Sequence, residues 1–315
     1  MSDPLRAVVL AGGLSYEREI SLASGRRVTD ALQSVGVEAV LRDADATLLP
    51  ALAELAPDAV FIALHGGAGE DGAVRAVLDL ARVRYVGSAA DACRLAFDKP
   101  AAKAVVAAAG IKTPPWVALP QDTFRELGAQ AVLDRLVGEF ALPVVVKPVQ
   151  GGSAMGATVV RTAAELPAAM VQCFAYDDTA LVERHVEGTE LAISVVASGD
   201  DLRALPAVEV QPAGGFFDYR ARYTAGVTEY FVPARLDPGV VARAADVAVQ
   251  AHHALRLRDL SRTDLIVDAA GTAWFLEVNV SPGMTETSLL PMAAAAAGVD
   301  LGVLCRDLLR AAAAR

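Results

Sequence analysis

Two uninterrupted apolar runs, Ala7-Val8-Val9-Leu10 and Ala59-Val60-Phe61-Ile62-Ala63-Leu64, are each followed by paired glycines, Gly12-Gly13 and Gly66-Gly67. Runs of this length without polar alternation read as strands buried on both faces, the habit of parallel sheets covered by helices. The segments between them supply the remaining units. A helical pattern runs from about Ser15 to Val35, a strand from Glu38 to Leu41, a helix around Ala73 to Ala81 and a short strand from Arg84 to Val86. Strands alternating with helices, with glycines at the strand C-termini, specify a parallel α/β sheet whose ligands bind at those ends.

The pattern changes at Asp98-Lys99-Pro100. A helix to Gly110 and an extended Thr113-Pro114-Pro115 linker lead to the strand Pro143 to Pro148. The small-residue loop Gln150 to Gly156 follows, and a strand from Ala157 to Val160 returns from it. No helix follows these glycines, so they read as a hairpin lid and not as a dinucleotide-binding turn. Strands are expected at 180–183, 190–196 and 205–211, then an aromatic-rich loop over 216–230 and a helix over 238–255. Two last strands, 261–267 and 273–278, are joined by the turn Asp268-Ala269-Ala270-Gly271.

These last strands carry the sharpest chemical signal. Residues two apart on a strand share a face, so Arg262 pairs in direction with Asp264, and Glu277 with Asn279. Set opposite one another, they converge two carboxylates and an amide oxygen beside a guanidinium. Hard oxygen ligands in that number suit Mg²⁺, which takes the rest of its shell from water and nucleotide phosphates. An exposed hairpin with paired charges is the alternative. The apolar neighbours Leu265, Ile266, Val267, Phe275 and Leu276 weigh against it, because charges on a buried sheet are costly unless paired or metal-bound.

The loop Gln150 to Gly156, which includes Gly152, can aim successive backbone N–H groups at phosphate oxygens. Lys147, inside Val-Val-Val-Lys-Pro, is poorly placed unless it meets an anion, and Lys99 is a second isolated lysine of that kind. The polar turn Glu183-Arg184-His185-Val186-Glu187-Gly188 can offer backbone groups to an adenine edge, with Glu190 able to accept from ribose hydroxyls. His185 reads as a neighbour of that ligand, and His252 and His253 as structural.

Composition closes off other classes. The net charge of −10, with no basic run, argues against a nucleic-acid partner. Cys93, Cys173 and Cys305 are odd in number and widely spaced, without zinc or disulfide spacing, which fits reduced thiols in a cytoplasmic protein. The start lacks the apolar core of a signal peptide, and the alanine-rich stretch 293–297 is too short to span a bilayer, so no membrane partner is expected.

Taken together the motifs resemble the ATP-grasp superfamily and, within it, the D-alanine–D-alanine ligase family. The matching strings are Gly12 to Leu22 (GGLSYEREISL), His65 to Gly72 (HGGAGEDG), the Lys147 loop, Tyr223, and Glu277 to Thr285 (EVNVSPGMT). The resemblance spans the whole chain and implies a three-domain α/β architecture. Residues 1–98 would form a Rossmann-like parallel domain and 99–187 a central lid. Residues 188–315 would form a C-terminal ATP-grasp domain with the Mg²⁺ site and an omega-type loop. It implies ATP and two Mg²⁺ ions held by Asp264, Glu277 and Asn279, with Mn²⁺ able to substitute. It also implies phosphorylation of one D-alanine and attack on the acyl phosphate by a second, in a homodimer serving peptidoglycan synthesis.

By matching position, Lys99, Lys147, Gly152 and Arg222 would meet phosphates. Glu183, Arg184 and Val186 would meet adenine, and Glu190 the ribose. Arg262 and the Gly283 N–H would stabilise developing negative charge. Glu17, aided by His65, would bind the first ammonium, and Ser288 with the Leu289 N–H the second carboxylate. Glu17, Ser153 and Tyr223 would form a hydrogen-bonded trio closing the site; Tyr223 fits dipeptide formation better than the D-lactate variants. The chain departs from the family pattern at Leu14, at Gly151 in Gln150-Gly151-Gly152, and at Arg222.

Overall fold

The computed structural model describes residues 4–198, 201–217, 219–224 and 226–315, without the side chains of Ser198, Arg220 and Tyr223. The first unit is a parallel sheet of β1 (Arg6–Ala11), β2 (Glu38–Asp43) and β3 (Ala59–Ile62), in the order β2-β1-β3. Around it lie α1 (Arg18–Ser34), α2 (Leu48–Leu55) and α3 (Ala73–Leu80). Val8, Val9 and Leu10 are buried and point alternately into two separate cores, which is why the run needs no polar residue. The expected strand at 84–86 is reduced to a single parallel bridge between Val60 and Tyr85.

Helices α4 (Ala90–Phe97) and α5 (Lys99–Ala108) lead out of this unit. The Asp98 carboxylate starts α5 by accepting from Ala101 N–H at 2.9 Å, with Pro100 in the first turn. A second, antiparallel sheet has the order β4-β7-β5-β6. It comprises β4 (Trp116–Pro120), β5 (Val144–Pro148), β6 (Thr158–Val160) and β7 (Thr179–Arg184). Packed with it are α6 (Gln121–Leu127), α7 (Ala129–Phe140) and α8 (Leu166–Phe174). β5 and β6 pair antiparallel around the glycine loop, the hairpin expected from the absence of a following helix.

The third sheet runs β11-β10-β8-β12-β13 with β9 on the side of β8. Its strands are β8 (Thr189–Ser198), β9 (Asp201–Ala204), β10 (Val208–Pro212), β11 (Thr228–Phe231), β12 (Leu260–Val267) and β13 (Ala273–Asn279). Helices α9 (Tyr219–Tyr223), α10 (Pro238–Ala254), α11 (Leu289–Ala296) and α12 (Leu301–Ala313) complete the chain. The strand expected over 205–211 begins only at Val208; Leu205 to Ala207 form a connection.

One face of this sheet, Leu191, Ile193, Val195, Leu265, Val267, Phe275 and Val278, is sealed by α4, α5 and α10. Each such fully buried side chain contributes about 1.5–3 kcal/mol of transfer free energy. The opposite face is shared: α11 and α12 cover its far end together with the N-terminal sheet, leaving the near end for the site. Asp259 fastens the two units, accepting from the Arg315 guanidinium at 2.7 Å and from Gly87 N–H at 2.7 Å. Among the described residues no single helix is long and apolar enough to cross a membrane.

Candidate active site

The register of β12 and β13 fixes the chemistry. Arg262 lies opposite Asn279 and Asp264 opposite Glu277, and a bulge then shifts the pairing so that Leu265 faces Phe275. Cross-strand partners share a face, so the four polar residues fall on one side of the sheet. Without the bulge Phe275, two residues before Glu277, would share that side. The extra residue, Leu276, turns Phe275 back into the core beside Val278. The continuation Asn279 to Ser281 is tied by Ser281 N–H donating to Asn279 Oδ1 at 2.7 Å.

The Arg262 guanidinium forks onto Asp264, Nε to Oδ1 at 2.7 Å and Nη2 to Oδ2 at 2.8 Å. Such bidentate, charge-assisted pairs are among the strongest side-chain contacts. Glu277 stands 3.6 Å from Lys99 Nζ, which donates to Gly151 O at 2.9 Å and so draws the glycine loop toward β13. Burial would raise the Glu277 carboxyl, but Lys99, Lys147, Arg222 and Arg262 together hold it well below the usual carboxylate range.

Across the cleft, Lys147 Nζ lies 2.6 Å from Glu183 Oε1, and Lys103 Nζ lies 2.7 Å from Glu183 Oε2. Glu183 is held on the lid sheet between Trp116 of β4 and Val145 of β5. Arg184 turns outward over the Trp274 ring at 5.4 Å, and its N–H donates to Pro115 O. Val186, one turn of chain further, makes no hydrogen bond through its N–H or C=O among the described residues and lines the cleft. The cleft encloses about 650 Å³ and is bordered by Lys99, Lys147, Gly152, Glu190 and Asp264 among others.

A second, smaller cavity of about 110 Å³ lies behind it, between the N-terminal unit and the third sheet. Glu17, His65, Glu70, Arg262, Asn279, Gly283, Ser288 and Leu289 border it. The two cavities meet at Lys99, Gly151, Gly152, Phe217, Arg222 and Glu277, which border both. Glu17 is 7% exposed and accepts from the Ser153 hydroxyl. Gly66 and Gly152 press against the same carboxylate: a Cβ on either would stand 2.5 or 2.8 Å from Glu17 Oε2. The Tyr223 side chain, the third member of the expected trio, lies outside the described residues.

His65 serves the frame in a way its motif did not reveal. Nδ1 contacts Ser281 O at 3.0 Å and Nε2 contacts Ser24 Oγ at 2.9 Å. A carbonyl only accepts, so Nδ1 carries the proton and Nε2 accepts from the serine. Burial lowers this imidazole to about 4, keeping it neutral. Both ring nitrogens are committed to these partners, so His65 borders the Glu17 cavity as a fixed, neutral ring. Ser24 Oγ also accepts from Met284 N–H at 3.1 Å, and Arg27 donates to the carbonyls of Met284 and Thr285. Helix α1 thereby sets the loop that carries Gly283. Ser288 caps that loop, accepting from Thr285 N–H at 2.9 Å at the start of α11.

The three departures have separate outcomes. Leu14 is 102% exposed. Gly151 takes φ +119, a left-handed conformation open to glycine and strained for a residue with a Cβ. Arg222 stacks 4.3 Å from the Phe217 ring centroid and donates to Phe217 O at 3.3 Å, so its flat guanidinium is used on the aromatic loop.

Ser24 and Arg27 beside the site, and Lys103 behind it, had no motif to announce them, and Glu70 lay within the His65 to Gly72 string without an assigned role. For Lys103 a signal exists. Lys99, Ala102, Lys103 and Val106 follow the i, i+3, i+4, i+7 spacing of a buried helix face, and all are buried.

Metal fit follows from the donor set. Among the described residues no group of three or more His, Cys, Asp or Glu side chains gathers as a preformed cage. Asp264, Glu277 and Asn279 nonetheless supply hard oxygen donors on one face. This suits a cation that completes its shell from nucleotide phosphates and water.

Glu190 gives the site a testable pH signature. Burial pushes its carboxyl up to about 7 from 4.5. The folded state then holds a proton that the unfolded chain releases, so this stabilising contribution is full below about 4.5 and lost as pH rises through about 7. His65 and His252, both lowered to about 4 from 6.5, give the opposite slope between those values. Comparing Glu190→Gln with the parent isolates the carboxyl. Thermal melts without nucleotide from about pH 5 to pH 8 should show less loss of stability with rising pH in the variant, and superimposable profiles would exclude this titration.

A three-unit chain whose lid sheet and C-terminal sheet enclose a lysine-lined, nucleotide-sized cleft is an ATP-grasp enzyme. The family description "D-ala D-ala ligase C-terminus" matches residues 105–310. The D-alanine--D-alanine ligase of Bordetella avium (strain 197N) is 41% identical over 301 residues, 96% of this chain and 92% of the relative. The structure of the D-alanine--D-alanine ligase from Bacillus anthracis complexed with ATP superposes with TM-score 0.81 at 29% identity. It covers 99% of this chain and 97% of that one. The VanG D-Ala:D-Ser ligase from Enterococcus faecalis gives TM-score 0.82 at 26% identity, covering 98% and 99%. The chain belongs to the D-alanine–D-alanine ligase family.

Proposed function

We propose that this chain joins two D-alanines at the expense of ATP, releasing ADP and phosphate, as a step in peptidoglycan precursor synthesis. The observation that carries the reading is the meeting of two cavities. A nucleotide-sized cleft opens into a cavity of amino-acid size across Lys99, Gly152, Arg222 and Glu277. A phosphoryl group presented from one side can therefore reach a carboxylate held on the other.

In this reading the first D-alanine lies with its ammonium on Glu17, which Ser153 orients. Its carboxylate oxygen takes the γ-phosphoryl group and ADP leaves. Lys99, Lys147, Gly152 and Arg222 bind and balance phosphate charge, and Glu183, Arg184, Val186 and Glu190 receive adenine and ribose. Two Mg²⁺ ions, or Mn²⁺ in their place, would be held by Asp264, Glu277 and Asn279 and supply neutralisation between the phosphates. The amine of the second D-alanine, positioned through its carboxylate on Ser288 and the Leu289 N–H, attacks the acyl carbon, loses a proton and expels phosphate. Arg262 and the Gly283 N–H face the oxygen that gains negative charge, as preorganised donors do. By the family resemblance Tyr223 would join Glu17 and Ser153 to close the aromatic loop, and closure would exclude the water that hydrolyses an acyl phosphate.

The protein acts in the cytoplasm as a homodimer, with unit boundaries at 1–98, 99–187 and 188–315. Phosphate release should depend on D-alanine and ATP together, with D-serine, D-lactate and L-amino acids as alternative acceptors. Absence of D-alanine-dependent release would sink the assignment, and faster release with D-alanine plus D-serine would move it to the mixed ligases.

A further inference from the structure

Lys103 is fully buried on the inner face of α5, between Ala102 and Val106 of the core. An ammonium is rarely buried without full compensation. Its Nζ lies 2.7 Å from Glu183 Oε2, donates to Thr113 Oγ1 at 2.7 Å and approaches Phe275 O at 3.5 Å. Those partners come from β7, the linker before β4, and β13. Lys103 borders neither cavity, so it cannot touch a ligand. Its partner Glu183 borders the cleft, and on the other oxygen Glu183 meets Lys147 at 2.6 Å.

The charge count of this buried row bears on what Lys147 presents to the cleft, alongside Glu277 and Asp264 on its other side. Glu183 with Lys147 alone is a neutral pair, and the attraction Lys147 offers an anion is largely cancelled by the carboxylate beside it. In a low-dielectric setting that cancellation is strong. With Lys103 behind Glu183 the row carries one net positive charge, and it is exposed on the Lys147 side.

We propose that Lys103 is a positioning residue that neutralises Glu183 from behind the lid sheet, leaving the charge of Lys147 available to the nucleotide's phosphates. This rests on the reading of the cleft as the ATP site. The titration behaviour of the row agrees. Burial lowers Lys103 to about 8, which leaves it protonated at neutral pH. Burial would raise Glu183, but Lys147 and Lys103 outweigh it and hold the carboxyl low. Burial would lower Lys147, but Glu183, Glu277 and Asp264 raise it.

The test is calorimetric binding of ADP with Mg²⁺, and separately of adenosine, to the full chain. Lys103→Met should weaken ADP at least roughly tenfold and adenosine by less than about threefold, since adenosine carries no phosphate. The double variant Lys103→Met/Glu183→Gln should recover ADP affinity to within about threefold of Glu183→Gln alone, because the amide needs no counter-charge. It should also fold if the single variant does not, since removing both partners of a buried pair is tolerated far better than removing one. Equal weakening of ADP and adenosine, unchanged ADP affinity in a folded single variant, or a double variant that neither folds nor recovers would each overturn the proposal. Failure of the parent protein to bind ADP would remove the nucleotide reading and this role with it. Tight parent binding with an unaffected variant removes only the role of Lys103.

Discussion

Replacing Arg262 with Met is expected to lower kcat by about 10²–10³-fold, the usual cost of losing one preorganised donor to a developing oxyanion. Arg262 is 8% exposed and its guanidinium is locked onto Asp264 by two hydrogen bonds, so in the proposed role it would need no rearrangement when charge appears on the substrate. Met keeps much of the volume and removes all of the donors. The variant also leaves Asp264 without its partner on the face that carries Glu277, and Glu17 and Glu70 border the adjoining cavity. A loss of about 3–5 kcal/mol of stability is therefore expected alongside the kinetic defect. Arg262→Lys should fall between, keeping the charge and losing the planar fork. Phosphate release at saturating substrates, with ADP binding as the control for a folded cleft, measures both effects. A folded Met variant within about tenfold of the parent kcat would take Arg262 out of the reacting centre.

Glu277→Gln should raise the Mg²⁺ concentration needed for half-maximal activity by roughly 10²-fold or more. Removing a residue that merely orients a ligand already costs about 10–100-fold, and Glu277 is proposed as a ligand itself. The amide preserves size and one lone-pair oxygen but withdraws the negative charge from among Lys99, Lys147, Arg222 and Arg262. Four cations then face one another with less compensation. Because the folded state depresses this carboxyl, its stabilising contribution is present above about 4.5 and lost only as pH falls through about 2. The Gln variant should accordingly be less stable than the parent at neutral pH. A Mg²⁺ titration of phosphate release tests the first effect and thermal melting without metal the second. An unchanged Mg²⁺ requirement would exclude Glu277 as a ligand.

Periodicity and short motifs were enough for a large part of this protein. The runs ending at Gly12 and Gly66 specified the parallel sheet, because a strand buried on both faces has no room for polar alternation. The missing helix after Gly151-Gly152 specified the hairpin, and the two-residue spacing in Arg262/Asp264 and Glu277/Asn279 specified one polar face. Less legible were the short or weakly periodic pieces: β4, α6 and α7 in the lid, α2 beside the first sheet, and the strand at 84–86 that shrank to one bridge. Their conformations are set by what they pack against more than by their own pattern.

What the sequence determined by itself was which chemical groups are present and which way they point within their own element. That is local stereochemistry, fixed by strand and helix repeat alone. Only the tertiary structure decided which of those groups meet. The bulge at Leu276 sends Phe275 to the core and keeps Glu277 opposite Asp264. His65 is drawn between Ser24 and Ser281, residues 41 and 216 positions away, and becomes part of the frame. Lys103, an unremarked lysine on a helix, becomes the buried partner of Glu183, in a strand that begins only at Thr179. Such contacts close long loops, and their free energy comes from burial and charge compensation that exist only once the sheets are stacked.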